Sequence, residues 1–201
     1  QGQLRQAERL LLETLKTTIR SDGQRLPLSA GIYSELSKVY YEWNQLEQVE
    51  YYAPQCLEVS QQWGNIGQQA IGIIMSAKSE QAIGNIEQAH ALMLTADQVH
   101  RDNRLNLWNS IQIEAALDRF WLTLGSLERV AHRIEASNIN TSDEITYLHE
   151  VKYITLLRWL LASEDYDSAL GLAERMLQQA QNDHCMLKVV ELLILEALAY
   201  L

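Results

Sequence analysis

Apolar residues recur with helical periodicity along most of the chain, and alternation of Val, Ile or Thr with polar residues is never sustained. That pattern predicts helices with one buried face and leaves no candidate strands. The helical stretches read as 4–20, 28–43, 46–63, 66–83, 86–102, 104–124, 127–137, 143–163, 166–182 and 184–201. The wider connections between them are polar: Ser21–Pro27, Asp102–Asn103, Asn138–Asp143 and Asn182–Asp183.

A short motif recurs between the other stretches. It reads Gly2-Gln-Leu-Arg-Gln-Ala7, Asn44-Gln-Leu-Glu-Gln-Val49, Gly84-Asn-Ile-Glu-Gln-Ala89, Gly125-Ser-Leu-Glu-Arg-Val130 and Glu164-Asp-Tyr-Asp-Ser-Ala169, with closing residues 42, 40, 41 and 39 positions apart. Its first position (Asn44, Gly84, Gly125) suits the left-handed backbone that ends a helix. Glu164 departs from this and predicts a different turn there. The second (Gln45, Asn85, Ser126, Asp165) offers mostly good N-caps. The third (Leu46, Ile86, Leu127, Tyr166) places an apolar group under the corner. The fourth is acidic in four turns (Glu47, Glu87, Glu128, Asp167), where charge favours the N-terminal dipole. The sixth is small or slender and lets two helices approach. Each hit therefore predicts a tight corner, and the whole an all-α solenoid, or superhelix, of about five helical hairpins with a period of about 40 residues. Residues 1–201 read as a single repeat domain. Residue 1 falls directly before a corner and the last stretch stays apolar to Leu201, so the sequence reads as a segment of a longer array, cut at both ends.

Charge narrows the function. The chain carries 26 acidic and 16 basic residues, a formal net charge of −10, so direct nucleic-acid contact by this segment is not expected. Two cysteines form no disulfide framework, which points to a reducing cytoplasm. No apolar run approaches a membrane span.

One stretch is more specific. Tyr41-Glu-Trp-Asn-Gln-Leu-Glu-Gln-Val49 followed by Trp63-Gly64-Asn65 resembles the "Y-E-W-N-x-L-x-x-A … W-G-(N/D)" signature in the repeat region of MalT-type regulators. Leu156-Leu-Arg158-Trp-Leu-Leu-Ala162 through Ala169, Leu172 and Leu177 resembles their "L-A-R-x-L-x-A-x-G-x-x-x-x-A" repeat. The repeat period exceeds the 34 residues of a standard tetratricopeptide repeat, but the layout is related. These regulators are large ATP-dependent transcription factors of the LuxR family. The resemblance implies an N-terminal module that binds ATP, a helical region that senses an inducer and supports self-association, and a C-terminal helix-turn-helix. Neither flanking part is present: no G-x-x-x-x-G-K-[ST] loop occurs. The expected function is ligand sensing or protein interaction by the helical region, with no cofactor of its own. The expected partner is a small-molecule inducer or a protein or peptide, with self-association as a further option. A plain tetratricopeptide-like scaffold for a partner's peptide is the alternative.

Hairpins aligned on their corners place Lys38, Lys78, Arg119 and Arg158 eleven residues before each closing position. In tetratricopeptide-type hairpins this position on the first helix faces the inner, concave surface. The column is thus a candidate groove for an anionic ligand or an acidic peptide. The structural alternative pairs each base with the acid nine residues on, across its own corner. Aromatic residues crowd 33–63, and a ligand groove there would add Tyr41, Glu42, Gln45 and Gln81. Trp43 and Trp63 read instead as fillers of interhelical gaps. The histidines show no H-x-x-x-H or H-E-x-x-H spacing, and no catalytic constellation is legible. Cys56 and Cys185 read as small core residues. Pro54, inside the stretch 46–63, predicts a kink or an early break.

Overall fold

The computed structural model of the chain describes residues 2–200. Ten helices follow one another: α1 (Gly2–Thr17), α2 (Leu28–Glu42), α3 (Leu46–Trp63), α4 (Ile66–Ala82), α5 (Ile86–Asp102), α6 (Leu107–Thr123), α7 (Leu127–Ser137), α8 (Glu150–Ala162), α9 (Tyr166–Asn182) and α10 (Met186–Leu198). Among the described residues no strand forms. An antiparallel bridge, Ile19 with Arg25, closes the connection ahead of α2. Helices α1 to α5 each pack on their sequence neighbours, as α7 to α10 do, and α2 also meets α4, as α8 meets α10. Neighbour-on-neighbour packing of this kind is that of an all-α solenoid. No helix of the described residues is long and apolar enough to cross a membrane.

The corners share one backbone device. At Asn44, φ is +56°, its N–H donates to the Tyr41 carbonyl at 2.9 Å, and the Gln45 N–H donates to the Tyr40 carbonyl at 2.9 Å. This pair of bonds is the Schellman motif, which satisfies two carbonyls left open at a helix end. It recurs at Gly64–Asn65, Gly84–Asn85, Gly125–Ser126, Glu164–Asp165 and His184–Cys185. Glu164, expected to differ, takes the same turn with φ +64°. The side chain is exposed, so the turn tolerates it despite the cost of left-handed backbone. The connection at Asn182–Asp183 is likewise one of these tight corners. Side-chain capping is less regular than the sequence suggests. Asp165 accepts from the Ser168 N–H at 3.2 Å and Asn65 from the Gln68 N–H at 3.2 Å. Asn85 instead turns back and donates to Glu80 at 2.8 Å, and Gln45 and Ser126 cap nothing.

The slender sixth positions do what close packing requires: Val49, Ala89, Val130 and Ala169 are fully buried. The third positions are shallower, with Ile86 and Tyr166 exposed. Pro54 does not break α3, which runs unbroken from Leu46 to Trp63. Both Pro54 and Glu50, whose carbonyl loses its helical donor, lie on the solvent side, where water can replace the bond. Helix α6 starts at Leu107, not 104, because Asn106 accepts from the Asn109 N–H at 2.9 Å and fixes the helix start there. Helix α8 starts at Glu150, not 143. The preceding acceptors are engaged elsewhere: Arg175 takes the carbonyls of Thr141 and Asp143, and Gln179 takes that of Ile145 at 3.3 Å. The Asp143 carboxylate accepts from the Asn140 N–H at 2.7 Å. Gln1 and Leu201 lie outside the described residues; Gly2, expected to open the first corner, is instead the first residue of α1, which spans Gly2–Thr17 and not 4–20.

The chain divides into two compact units, residues 1–113 and 114–201. In the first, Leu36, Val49, Cys56, Val59, Ala70 and Met93 form part of the interior. Helices α3 and α4 approach closely at Gly72, where an added Cβ would stand 3.1 Å from the Leu57 nitrogen and 3.2 Å from the Ala53 carbonyl. In the second, Leu157, Leu160, Leu172, Met176, Leu192 and Leu195 centre the core. The opposite side of α10 leaves Leu187, Val190, Ile194 and Leu198 exposed, an apolar stripe at helical spacing.

Candidate functional site

In the first unit, α2 supplies Lys38, Tyr41 and Glu42, and α4 supplies Lys78 and Gln81. Three-residue spacing puts Lys38 beside Tyr41, and Lys78 beside Gln81, on their helices. The Lys78 ammonium lies 4.1 Å from the centre of the Tyr41 ring, so the two helices meet through a cation–π contact. Both residues are half-buried, as is Gln81, whereas Glu42 is exposed at the end of α2. Lys38 pairs with Glu35 at 2.6 Å. The pairing expected across the corner with Glu47 is not the one Lys38 makes. Glu35 stands one turn away on the same helix, so their meeting requires no particular path of the chain through the corner.

The remaining aromatics of residues 33–63 do another task. Tyr52 stacks on Tyr33 at 6.1 Å and on Tyr40 at 5.4 Å, and Trp43 meets Tyr40 edge-on at 6.0 Å. The Tyr40 hydroxyl donates to Glu8 of α1 at 2.8 Å. These rings fill the seam between α1, α2 and α3, the filler role expected of Trp43. The indole N–H of Trp63 donates to the Arg25 carbonyl at 3.0 Å, while the Arg25 guanidinium bonds Gln55 and Glu58. The end of α3 is thereby tied to the connection before α2.

In the second unit, charged side chains of α6, α8 and α10 meet on a shared face. Glu114 pairs with Lys152 at 3.3 Å. Arg119 and Arg158 both reach the Oε1 oxygen of Glu191, at 3.4 and 2.9 Å. Lys188 pairs with Glu150, and its ammonium lies 5.4 Å from the Tyr147 ring centre. Arg158 therefore takes Glu191 and not Asp167 of its own corner: α10 packs against α8 and brings the acid within reach. Nearby, Asp118 is buried and pairs with Arg133 of α7 at 3.1 Å. Burial pushes its pKa up to about 6, with Arg133 pulling it down and Glu114 adding to the rise. The sequence column located Arg119 and Arg158 but not Glu191, Lys152, Glu150 or Asp118. The one local signal was the three-residue spacing of Lys188 and Glu191.

Burial pushes the Cys56 thiol up to about 11, which keeps it protonated at neutral pH. Among the described residues no group of three or more His, Cys, Asp or Glu side chains could hold a metal ion. The arrangement offers charge and aromatic faces, the chemistry of recognition. No curated protein matches the sequence. The family model of the MalT-like TPR region does match, over residues 1–201, and the chain belongs to that family of helical repeats.

Proposed function

We propose that this region is the ligand-sensing, partner-binding and self-association segment of a bacterial MalT-type, LuxR-family transcriptional regulator. It acts in the cytoplasm, performs no catalysis and leaves DNA contact to another part of the regulator. The observation that carries this reading is Lys78 resting on Tyr41, with Lys38 and Gln81 a turn away. An anionic or sugar-like ligand entering between α2 and α4 would compete for that ammonium and that ring. Binding would then change how the two hairpins stack, provided the ligand prefers one arrangement over the other. The apolar stripe of Leu187, Val190, Ile194 and Leu198 supports the self-association part.

A thermal-shift panel of sugars, sugar phosphates and di- and tricarboxylates tests the sensing part. A rise in melting temperature that Lys78→Glu abolishes supports it, and no rise with any probe contradicts it. Sedimentation of Leu187→Glu/Ile194→Glu beside the parent protein tests self-association: loss of an oligomer supports it, and an unchanged profile contradicts it. A second reading, a scaffold for an acidic peptide, is favoured by the two arginines that grip the Glu191 carboxylate.

A further inference from the structure

Arg119 on α6 and Arg158 on α8 lie 33 residues or more from Glu191 in sequence, yet both guanidinium groups converge on one of its oxygens. The three side chains keep 37%, 31% and 28% of their surface exposed, so solvent reaches the cluster. Arg158 holds Glu191 through Nη2, while its buried Nε–H has no hydrogen-bond partner. The contact is thus end-on and leaves the guanidinium fork half used. A carboxylate that takes the place of Glu191, and whose entry uncovers the buried Nε–H, would engage Nε–H and Nη2 together side-on, the geometry that arginine and carboxylate favour. The chain as a whole carries −10, which opposes indiscriminate binding of acids and makes such a place chemically distinct.

We infer that Arg119 and Arg158 form a carboxylate clamp that Glu191 fills from within, and that a carboxylate-bearing ligand binds by displacing Glu191. This rests on the reading of the first helices as a binding face and adds the ligand's chemical class and a built-in competitor. Displacement also breaks the Glu191 pairs that tie α10 to Arg119 of α6 and Arg158 of α8, leaving Lys188 with Glu150, so occupancy of the clamp loosens that helix. The ligand chemistry has two sources, an acidic peptide and a free di- or tricarboxylate.

Fluorescence anisotropy of a labelled polyglutamate peptide, with the 201-residue protein at low salt, tests the clamp. Glu191→Gln removes the competitor and keeps its shape, and it is expected to tighten peptide binding about tenfold. Arg158→Lys keeps the charge and removes the fork, and it is expected to undo that gain in the Glu191→Gln background. Equal affinity of Glu191→Gln and the parent protein, or no effect of Arg158→Lys, overturns the clamp. Competition by unlabelled citrate at concentrations below those that merely screen charge assigns the site to free carboxylates; resistance to citrate assigns it to peptides. A thermal shift by another probe that Lys78→Glu abolishes, with no gain from Glu191→Gln, overturns the clamp and leaves the sensing face standing. Silence in both assays overturns the two together.

Discussion

The Lys78 ammonium of α4 stands 4.1 Å from the centre of the Tyr41 ring of α2. The contact joins the first helices of two successive hairpins at a half-buried place, where a cation–π contact is worth about 0.5–1 kcal/mol. It depends on the ring face and not on the hydroxyl. Tyr41→Phe is therefore expected to keep the coupling to Lys78, and Tyr41→Leu to lose it. A double-mutant cycle with Lys78→Met, read by urea unfolding, measures both. Equal coupling for Phe and Leu would show that ring and ammonium merely adjoin.

Glu164 occupies a left-handed turn that glycine fills at Gly84 and Gly125. A side chain there costs about 1 kcal/mol, and Glu164 caps no neighbouring helix in return. Glu164→Gly is expected to raise stability by about that amount, and Gly84→Ala to lower it by as much, in thermal or urea unfolding. Destabilisation by Glu164→Gly would mean that the glutamate side chain supports the turn.

Two helical glycines make opposite forecasts. A Cβ at Gly72 presses on the backbone of α3 at Leu57 and Ala53, while a Cβ at Gly171 meets nothing within 4 Å. Gly72→Ala is expected to cost about 1–3 kcal/mol by forcing α3 and α4 apart. Gly171→Ala is expected to gain about 0.5–1 kcal/mol from helix propensity. Unfolding midpoints that move in the same direction would contradict the close approach at Gly72.

The Asp118 carboxyl has a folded-state pKa of about 6, above its ordinary 3.8, because burial outweighs the pull of Arg133 and Arg129 and Glu114 adds to the rise. The folded protein thus holds the proton more tightly than the unfolded chain. Stability from this residue is complete below the ordinary value and is lost as pH rises through about 6. Between pH 5 and 8 the loss is about 1 kcal/mol. Asp118→Asn is expected to remove that part of the pH dependence when urea unfolding of parent and variant is compared. Parallel stability–pH curves would contradict a raised pKa.

Sequence and structure agree where the physics is local. The two hydrogen bonds of each corner lie within six residues, so Asn44, Gly84 and Gly125 announced their turns. The same turn at His184 escaped notice because neither His184 nor Cys185 carries a turn signature. Spans such as α3, α5, α7 and α9 follow from apolar period alone. Ion partners do not. Register between helices placed Glu191 against Arg119 and Arg158, and no spacing along the chain encodes that meeting. The basic column was legible as a column, but its partners were set by packing.

On the proposed reading, the first helices of the hairpins carry the binding face of a sensing region. Thermal denaturation of the 201-residue protein against sugars, sugar phosphates and carboxylates tests it most directly, with Lys78→Glu and Arg158→Glu as face variants and Glu174→Gln, on the second helix α9, as control. At least one probe is expected to raise the melting temperature of the parent and the control but not of a face variant. A panel without any shift, or a shift that survives in both face variants, would contradict it.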